Sequence, residues 1–380
     1  MQNKLNDHFI ENINIHNKNV ICRVDWNVPY DKDTFQIISD FRITSSLKTI
    51  NYLLEKGAKR ICIISHLGRP DGYDKKYSWK PFISQIQKYF KTKICFLKHG
   101  IHKETINKLD NTSNTIYLLE NIRFHKEETN LSDNSITKLF QQMGDLYVSD
   151  AFGSMHRKHL SIVGYKGVSR AYGYLVRDEI QSLNTILKNK KKKVLAIIGG
   201  GKMTDKLKLL ESLSHVTDGI YITGGNINSI IKDTKYSKYI KSITNNRAKI
   251  YMMSDGIAGK TVESEHNNYY CTDELPQDMY FFDSGIRSII QLDKIIKKYD
   301  IIFWNGTLGI VENNKYNYGS TALVHILLKS NKQIIVGGGD TAAFVNKFAH
   351  NFDHISTGGG SFIEYISHGG TLPGIEYFES

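Results

Sequence analysis

Val194-Leu195-Ala196-Ile197-Ile198-Gly199-Gly200-Gly201-Lys202-Met203-Thr204-Asp205-Lys206 reads as an apolar strand, a triple-glycine turn and the opening of a helix. A short β-branched run closed by glycine is the pattern of a strand covered on both faces. Val336-Gly337-Gly338-Gly339-Asp340-Thr341 repeats the design, and Ser356-Thr357-Gly358-Gly359-Gly360-Ser361 is a third such turn. Working outward, further strands are expected at Val20–Val24, Arg60–Ser65, Ile116–Leu119, Leu146–Ser149, Gly219–Thr223, Ile301–Trp304 and Ile334–Val336. Amphipathic stretches lie between them, at Ser45–Lys56, Phe82–Phe90, Lys206–Ser214 and Thr321–Leu328. Strands alternating with helices predict α/β architecture with doubly wound parallel sheets.

A chain of 380 residues is too long for one ordinary core and suits two domains. Tyr174–Lys188 reads as one long helix ending in a lysine cluster, a natural connector. The expected division is 1–172 with a returning segment 370–380, a connecting helix 173–190, and 191–369. With 40% hydrophobic and 23% charged residues the chain reads as globular and water-soluble. No apolar run reaches the roughly 18–20 residues of a membrane span, and Met1–Asp7 lacks the apolar core of a signal peptide. A cytoplasmic location is expected. Cys22, Cys62, Cys95 and Cys271 form no Cys-x-x-Cys pair and read as reduced strand residues, so neither disulfides nor a zinc site is expected. Asn111, Asn130 and Asn305 head sequons of the kind an Asn-rich chain produces by chance.

The net charge of +12 suits anionic ligands or nucleic acid, but most lysines are scattered over what read as solvated faces. The exception, Lys188–Lys193, reads as a solvated linker at a helix end, where cations also suit the helix dipole. Nucleic acid is therefore an unlikely partner.

In parallel α/β sheets ligands bind beyond the carboxyl ends of the strands. There the first half carries Asp25-Trp26-Asn27, His66-Leu67-Gly68-Arg69, Glu120–Phe124 with Arg123, and Asp150–Arg157 with His156. Arg42 opens the helix after Asp40. Arg42, Arg69, Arg123 and Arg157 at equivalent loop positions suit a small, highly anionic ligand, because a guanidinium fork matches phosphate and carboxylate. In the second half, Gly199–Gly201 and Gly337–Gly339 let backbone approach phosphates, Lys202 and Lys206 add charge, and Asp340 suits Mg²⁺ held through nucleotide phosphates. No dinucleotide fingerprint is present, and Ser254–Thr261 lacks the leading glycine of a P-loop. Nor is there a convincing Ser–His–Asp or Cys–His set.

These segments resemble the phosphoglycerate kinase family, in its order and over nearly the whole chain. The resemblance rests on Arg23–Pro29, Ser65–Pro70, Leu118–Phe124, Asp150–Arg157, Gly199–Lys206, Trp304-Asn305-Gly306 with Glu312, Gly337–Thr341, Ser356–Gly360 and Leu372-Pro373-Gly374. It implies two α/β domains facing each other across a cleft, and reversible phosphoryl transfer between 1,3-bisphosphoglycerate and ADP, giving 3-phosphoglycerate and ATP with Mg²⁺. By resemblance Asp25, Asn27, Arg42, His66, Arg69, Arg123 and Arg157 hold the triose acid. Gly200, Gly201, Lys206, Asn305, Glu312, Gly337, Gly338, Gly339, Asp340 and Thr341 hold the nucleotide, with the metal on Asp340. Arg42, Lys202, Gly338 and Gly359 stabilise the group in transit. A monomer is expected. An acyl phosphate and a carboxylate need no general base, so positioning and charge neutralisation suffice.

Several positions depart from the family pattern: Lys48 and Thr307 replace prolines, and Met155 a small residue. Asn226 stands where an apolar residue is usual and Phe281 where glycine is usual, both at places that line the adenine side in the family. A filled adenine pocket leaves open an alternative, a degenerate homologue that binds ligands or partners with little catalysis.

Overall fold

The run after Asn19 is buried without a break because its strand, β1 (Asn19–Val24), pairs in parallel on both edges, with β2 (Arg60–Ile64) and β5 (Leu146–Asp150). With β3 (Ile94–Leu97), β4 (Thr115–Leu119) and β6 (Ser169–Tyr172) they form an all-parallel sheet in the order β3-β4-β2-β1-β5-β6. The structure, a computed structural model, describes residues 6–109, 115–131, 136–165, 168–188, 191–264, 268–348 and 352–379. Asn111, the first five residues and Asn189-Lys190 of the lysine cluster lie outside them.

The chain divides into two units, Met1–Glu179 with Thr371–Ser380, and Ile180–Gly370. The first closes around Val20, Cys22, Ile61, Ile63, Ile116 and Val148. Edge-to-face contacts of Trp79 with Trp26 and Phe82 add to that core, with centroids 6.1 and 6.0 Å apart. Its first long helix is Phe41–Glu55, four residues earlier than expected. Ile43 already belongs to the buried face, and the polar Thr44 and Ser45 are tolerated because their hydroxyls bond back to the Asp40 and Phe41 carbonyls. The helix Tyr174–Leu187 ends one residue short of expectation. Its first turn is held by Asp150 Oδ1, which accepts from Leu175 N–H at 3.0 Å. The terminal helix Pro373–Glu379 groups with this unit, where Phe378 stacks on Tyr172 at 4.1 Å and Gly374 N–H donates to the Met155 carbonyl at 3.0 Å.

The second unit has its own parallel sheet. Its strands are β7 (Val194–Ile198), β8 (Gly219–Ile222), β9 (Lys249–Met252), β13 (Ile301–Asn305), β14 (Gln333–Gly337) and β15 (His354–Ile355), in the order β15-β14-β13-β7-β8-β9. Beside them β10 (Asp255–Gly259), β11 (Asn268–Cys271) and β12 (Tyr280–Ser284) make a three-stranded antiparallel sheet that the sequence reading did not foresee. Two glycines in β10 and the polar, half-exposed β11 leave no apolar run to detect. The P-loop-like stretch lies on β10, with no strand-to-helix turn, and Lys260 pairs with Asp278 at 2.8 Å.

Candidate functional site

The first unit gathers its charged side chains around a buried arginine. Arg23, on β1 and 1% exposed, donates from Nε to Ser161 Oγ at 2.9 Å and from Nη1 to the Val24 carbonyl. Its Nη2 lies 3.2 Å from His66 Nδ1. A guanidinium only donates, so His66 Nδ1 is the acceptor and the proton of that ring sits on Nε2. Burial, then the guanidiniums of Arg23, Arg123 and Arg42, push His66 well below its usual range, and Asp25 opposes them only in part. The ring is neutral. Asp25, next along the chain, takes the other course. Burial pushes its carboxyl up, but the guanidiniums of Arg42 and Arg23 outweigh burial and hold it below its ordinary range. With His66 neutral, that anion rests on Arg42, whose Nη1 lies 2.5 Å from Asp25 Oδ2, and on Arg23.

The loop after β2 is clamped by backbone contacts. Asn121 donates from Nδ2 to the Leu67 carbonyl at 2.7 Å and to the Tyr77 carbonyl at 2.9 Å. Gly68 N–H donates to Asn27 Oδ1 at 2.8 Å, and Arg123 Nη1 to the Gly68 carbonyl. Arg69, Arg123 and Arg157 then line a cavity of about 440 Å³, together with His125, Lys126 and His159. Burial and the neighbouring guanidiniums of Arg157 and Arg23 lower Arg123 to about 10. Burial and Arg69 lower Arg157 likewise. Among the described residues no ion pair serves any of the three, and against them and Lys126 the lining sets a single carboxylate, Asp71, so the basin is short of negative charge. Asn27, by contrast, spends its Oδ1 on the loop. Arg23, Asn121 and His125 were not singled out from the sequence, and only Arg23 left a signal: an arginine inside an apolar strand.

The second unit holds a cavity of about 610 Å³ beyond the carboxyl ends of β7, β13 and β14. Gly200, Gly201, Lys202, Lys206, Glu312, Gly338, Gly339, Asp340 and Thr341 line it as a group. Gly200 at φ +100° and Gly338 at φ +95° occupy backbone that side chains resist, which is why glycine is required there. Gly306 N–H donates to Thr341 Oγ1 at 2.8 Å, joining two of the turns. Lys206 Nζ contacts Asn305 Oδ1, and burial lowers its pKa against the pull of Asp205 and Asp340. Asn305 is buried behind the wall, with Nδ2 unpartnered and aimed at the turn: a Cβ on Gly338 would lie 3.1 Å from it. Gly337 and Gly359 are not on this wall. Gly337 ends β14, where a Cβ would press on Phe303 and Phe362 at 3.1 and 3.2 Å. Asp205, Asn228, Tyr280 and Phe282 line the cavity without having been singled out, because they come from the helix flank and from the unforeseen β12.

The two departures noted above resolve differently. Asn226 is fully buried, off the cavity wall and turned to backbone carbonyls. Phe281 touches the cavity but is only 2% exposed. A bulge in the β10–β12 pairing, Ile257 opposite Asp283 and Ala258 opposite Phe281, sends its ring onto the adjoining strand. There a Cβ on Gly256 would meet Phe281 Cδ1 at 2.6 Å. The cavity is not filled by that ring. Thr307 substitutes for a proline without loss, since its carbonyl accepts from Gly200 N–H at 2.8 Å.

The family profile described as "Phosphoglycerate kinase" matches residues 10–369. A phosphoglycerate kinase of Neurospora crassa is 32% identical over 416 aligned residues, covering 99% of this chain and 98% of that protein. Among solved structures, phosphoglycerate kinase from Coxiella burnetii is 28% identical with a TM-score of 0.83, covering 97% of this chain and 98% of its own. The phosphoglycerate kinase of Pyrococcus horikoshii is 25% identical with a TM-score of 0.85, covering 98% of each. With a family match over nearly the full length and relatives above 30% identity, the chain belongs to the phosphoglycerate kinase family.

Proposed function

We propose that the chain catalyses reversible phosphoryl transfer between 1,3-bisphosphoglycerate and ADP, giving 3-phosphoglycerate and ATP. The carrying observation is that one chain holds two anion-ready cavities of different make: the Arg69–Arg123–Arg157 basin, and the glycine turns around Lys206 and Asn305. Arg42, Arg69, Arg123, Arg157, His66, Asp25 and the free amide of Asn27 hold the triose acid. Neutral His66 donates from Nε2, and anionic Asp25 keeps Arg42 oriented. Lys206, Asn305, Glu312, Asp340, Thr341 and the turns Gly200–Gly201 and Gly338–Gly339 hold the nucleotide, with Gly337 anchoring the second turn at the end of β14. Arg42, Lys202, Gly338 and Gly359 meet the charge of the phosphoryl group in transit, so that positioning and electrostatics carry the reaction.

Mg²⁺ fits this donor set. No group of three or more metal-ligating side chains occurs among the described residues, and a single carboxylate at a phosphate turn is how Mg²⁺ is commonly held, with substrate phosphates and water completing its shell. Asp340 would be that carboxylate, and the ion would supply charge neutralisation at the nucleotide phosphates. Residues 1–172 with 370–380 form the acid-binding domain and 191–369 the nucleotide-binding domain, joined by 173–190. Cytoplasmic location and action as a monomer belong to the same proposal. A coupled assay with 3-phosphoglycerate, Mg²⁺ and a panel of nucleoside triphosphates tests it. Absence of turnover with every nucleotide, from folded protein, would reject it.

A further inference from the structure

The turn Gly199–Gly201 is fixed from behind by one residue, through both its side chain and its backbone. The Gly199 carbonyl accepts from Asn226 Nδ2 at 2.9 Å, and the Gly200 carbonyl from the Asn226 backbone N–H at 3.0 Å. The same Nδ2 lies 3.5 Å from the Ile198 carbonyl and 3.4 Å from that of Thr223. Acceptors on every side set which end of the amide is nitrogen. Asn226 is fully buried, and its Oδ1 has no hydrogen-bond partner. A buried amide with an idle oxygen is a net cost to stability that an apolar residue of equal size would avoid. Packing alone therefore does not account for it.

What the amide does is orient peptide planes. The bonds of this turn are trans, so each C=O and the N–H of the same plane point to opposite sides. With the Gly200 carbonyl drawn back to Asn226, the Gly201 N–H faces the other way. Gly201 lines the cavity, and no protein acceptor takes that N–H among the described residues. Gly200 N–H is meanwhile held by the Thr307 carbonyl at 2.8 Å, so the Gly199–Gly200 plane is gripped at both ends, once through the Asn226 side chain. We infer that Asn226 is a positioning residue for the nucleotide: its backbone N–H turns the Gly200–Gly201 plane so that the free Gly201 N–H meets a phosphate oxygen, and its side-chain amide locks the preceding Gly199–Gly200 plane, which limits how far the turn can rotate. This rests on the reading above that the turn receives nucleotide phosphates.

The test is ADP affinity of Asn226→Leu by calorimetry, beside 3-phosphoglycerate affinity and the far-UV spectrum. Loss of a donor to a buried carbonyl predicts ADP binding weakened about tenfold. Affinity for 3-phosphoglycerate should stay within about twofold, since a positioning role is local to one ligand. Asn226→Asp, which sets an oxygen against the Gly199 carbonyl, is expected to lose more. If Asn226→Leu does not fold, Asn226→Ala removes the same donor. ADP affinity within twofold of wild type in a folded variant, or an equal loss for both ligands, overturns the inference. Calorimetry needs no turnover: a wild type that binds ADP without forming product fails the proposed reaction only, whereas one that binds no ADP fails both.

Discussion

The basin of the first unit and the cradle of the second both await anions, yet they are made of different material. The basin is side chain: Arg69, Arg123 and Arg157 crowd together, burial and mutual repulsion lower the pKa of Arg123 and Arg157, and Asp25 stays ionised because Arg42 and Arg23 surround it. The cradle is mostly backbone, glycine turns at φ values near +95° and +100° with Lys206 as its half-buried cation. A side-chain site stores its cost as charge repulsion, which the ligand relieves. A backbone site stores it as conformation, which glycine makes accessible and Asn226 and Thr307 hold in place. The basin should therefore be sensitive to loss of charge, and the cradle to gain of a single methyl group.

The largest effect is expected where charge meets the group in transit. Arg42→Ala should lower kcat by about 10²–10³ while KM for 3-phosphoglycerate changes little, because the lost interaction belongs to the transition state. Steady-state kinetics decide it, and a rise in KM with kcat retained would make Arg42 an ordinary ligand contact. Gly338→Ala probes the other material. Its φ of +95° and the 3.1 Å approach of a Cβ to Asn305 Nδ2 combine strain with obstruction. About 1–3 kcal/mol of such strain predicts roughly five- to 150-fold weaker nucleotide binding, with 3-phosphoglycerate binding intact. Equal effects on both ligands would erase the distinction between the two sites.

How much of this was legible in the sequence follows the same line. Strands β1, β7 and β13 were readable to within a residue or so because both faces are buried and the apolar run is continuous. The sheet of β10, β11 and β12 was not, since glycine and half-exposed tyrosines carry no such signal, and with it went Tyr280 and Phe282 on the cavity wall. The arginines of the basin were visible because each stands in a loop that follows a readable strand. Asn226 was visible only as an oddity. Its work depends on which carbonyls surround it, and that is set by the approach of two glycine turns far apart in sequence. Phe281 misled for a related reason: a bulge decides which way its ring points, and no residue type announces it.

A smaller effect compares the carboxyls behind each site. Burial raises Asp150 from 3.8 to about 7, and burial likewise raises Asp283 to about 7, although backbone N–H groups bond to both. Each folded group keeps a proton that its unfolded counterpart has lost between those values. Stability is thus fully present below the ordinary carboxylate range and is lost as pH rises toward 7, by at most about 1.4 kcal/mol per unit for each group. His66 and His125, lowered by burial, act in the opposite sense near their usual range, so the raw profile mixes the two. The difference between wild type and Asp150→Asn isolates one carboxyl. Urea midpoints from pH 5 to 7.5 should fall more steeply for wild type, and parallel profiles would show that Asp150 is already ionised.

The smallest effect on activity is expected at Phe281, where the sequence suggested the largest departure from the family. Its ring lies against Gly256 and is 2% exposed, so trimming it removes core contact rather than ligand contact. Phe281→Leu should lower stability by about 1–2 kcal/mol and leave KM for ADP within about threefold. Phe281→Trp overfills the same space and, if the bulge yields, pushes an aromatic edge into the cavity, so its KM should rise while kcat at saturation holds. The pair separates two causes that a single variant would confuse. A tenfold change of KM in Phe281→Leu would mean that the ring itself touches the base. The cradle would then be built of side chains at one end, and its contrast with the arginine basin would hold only for the phosphate turns.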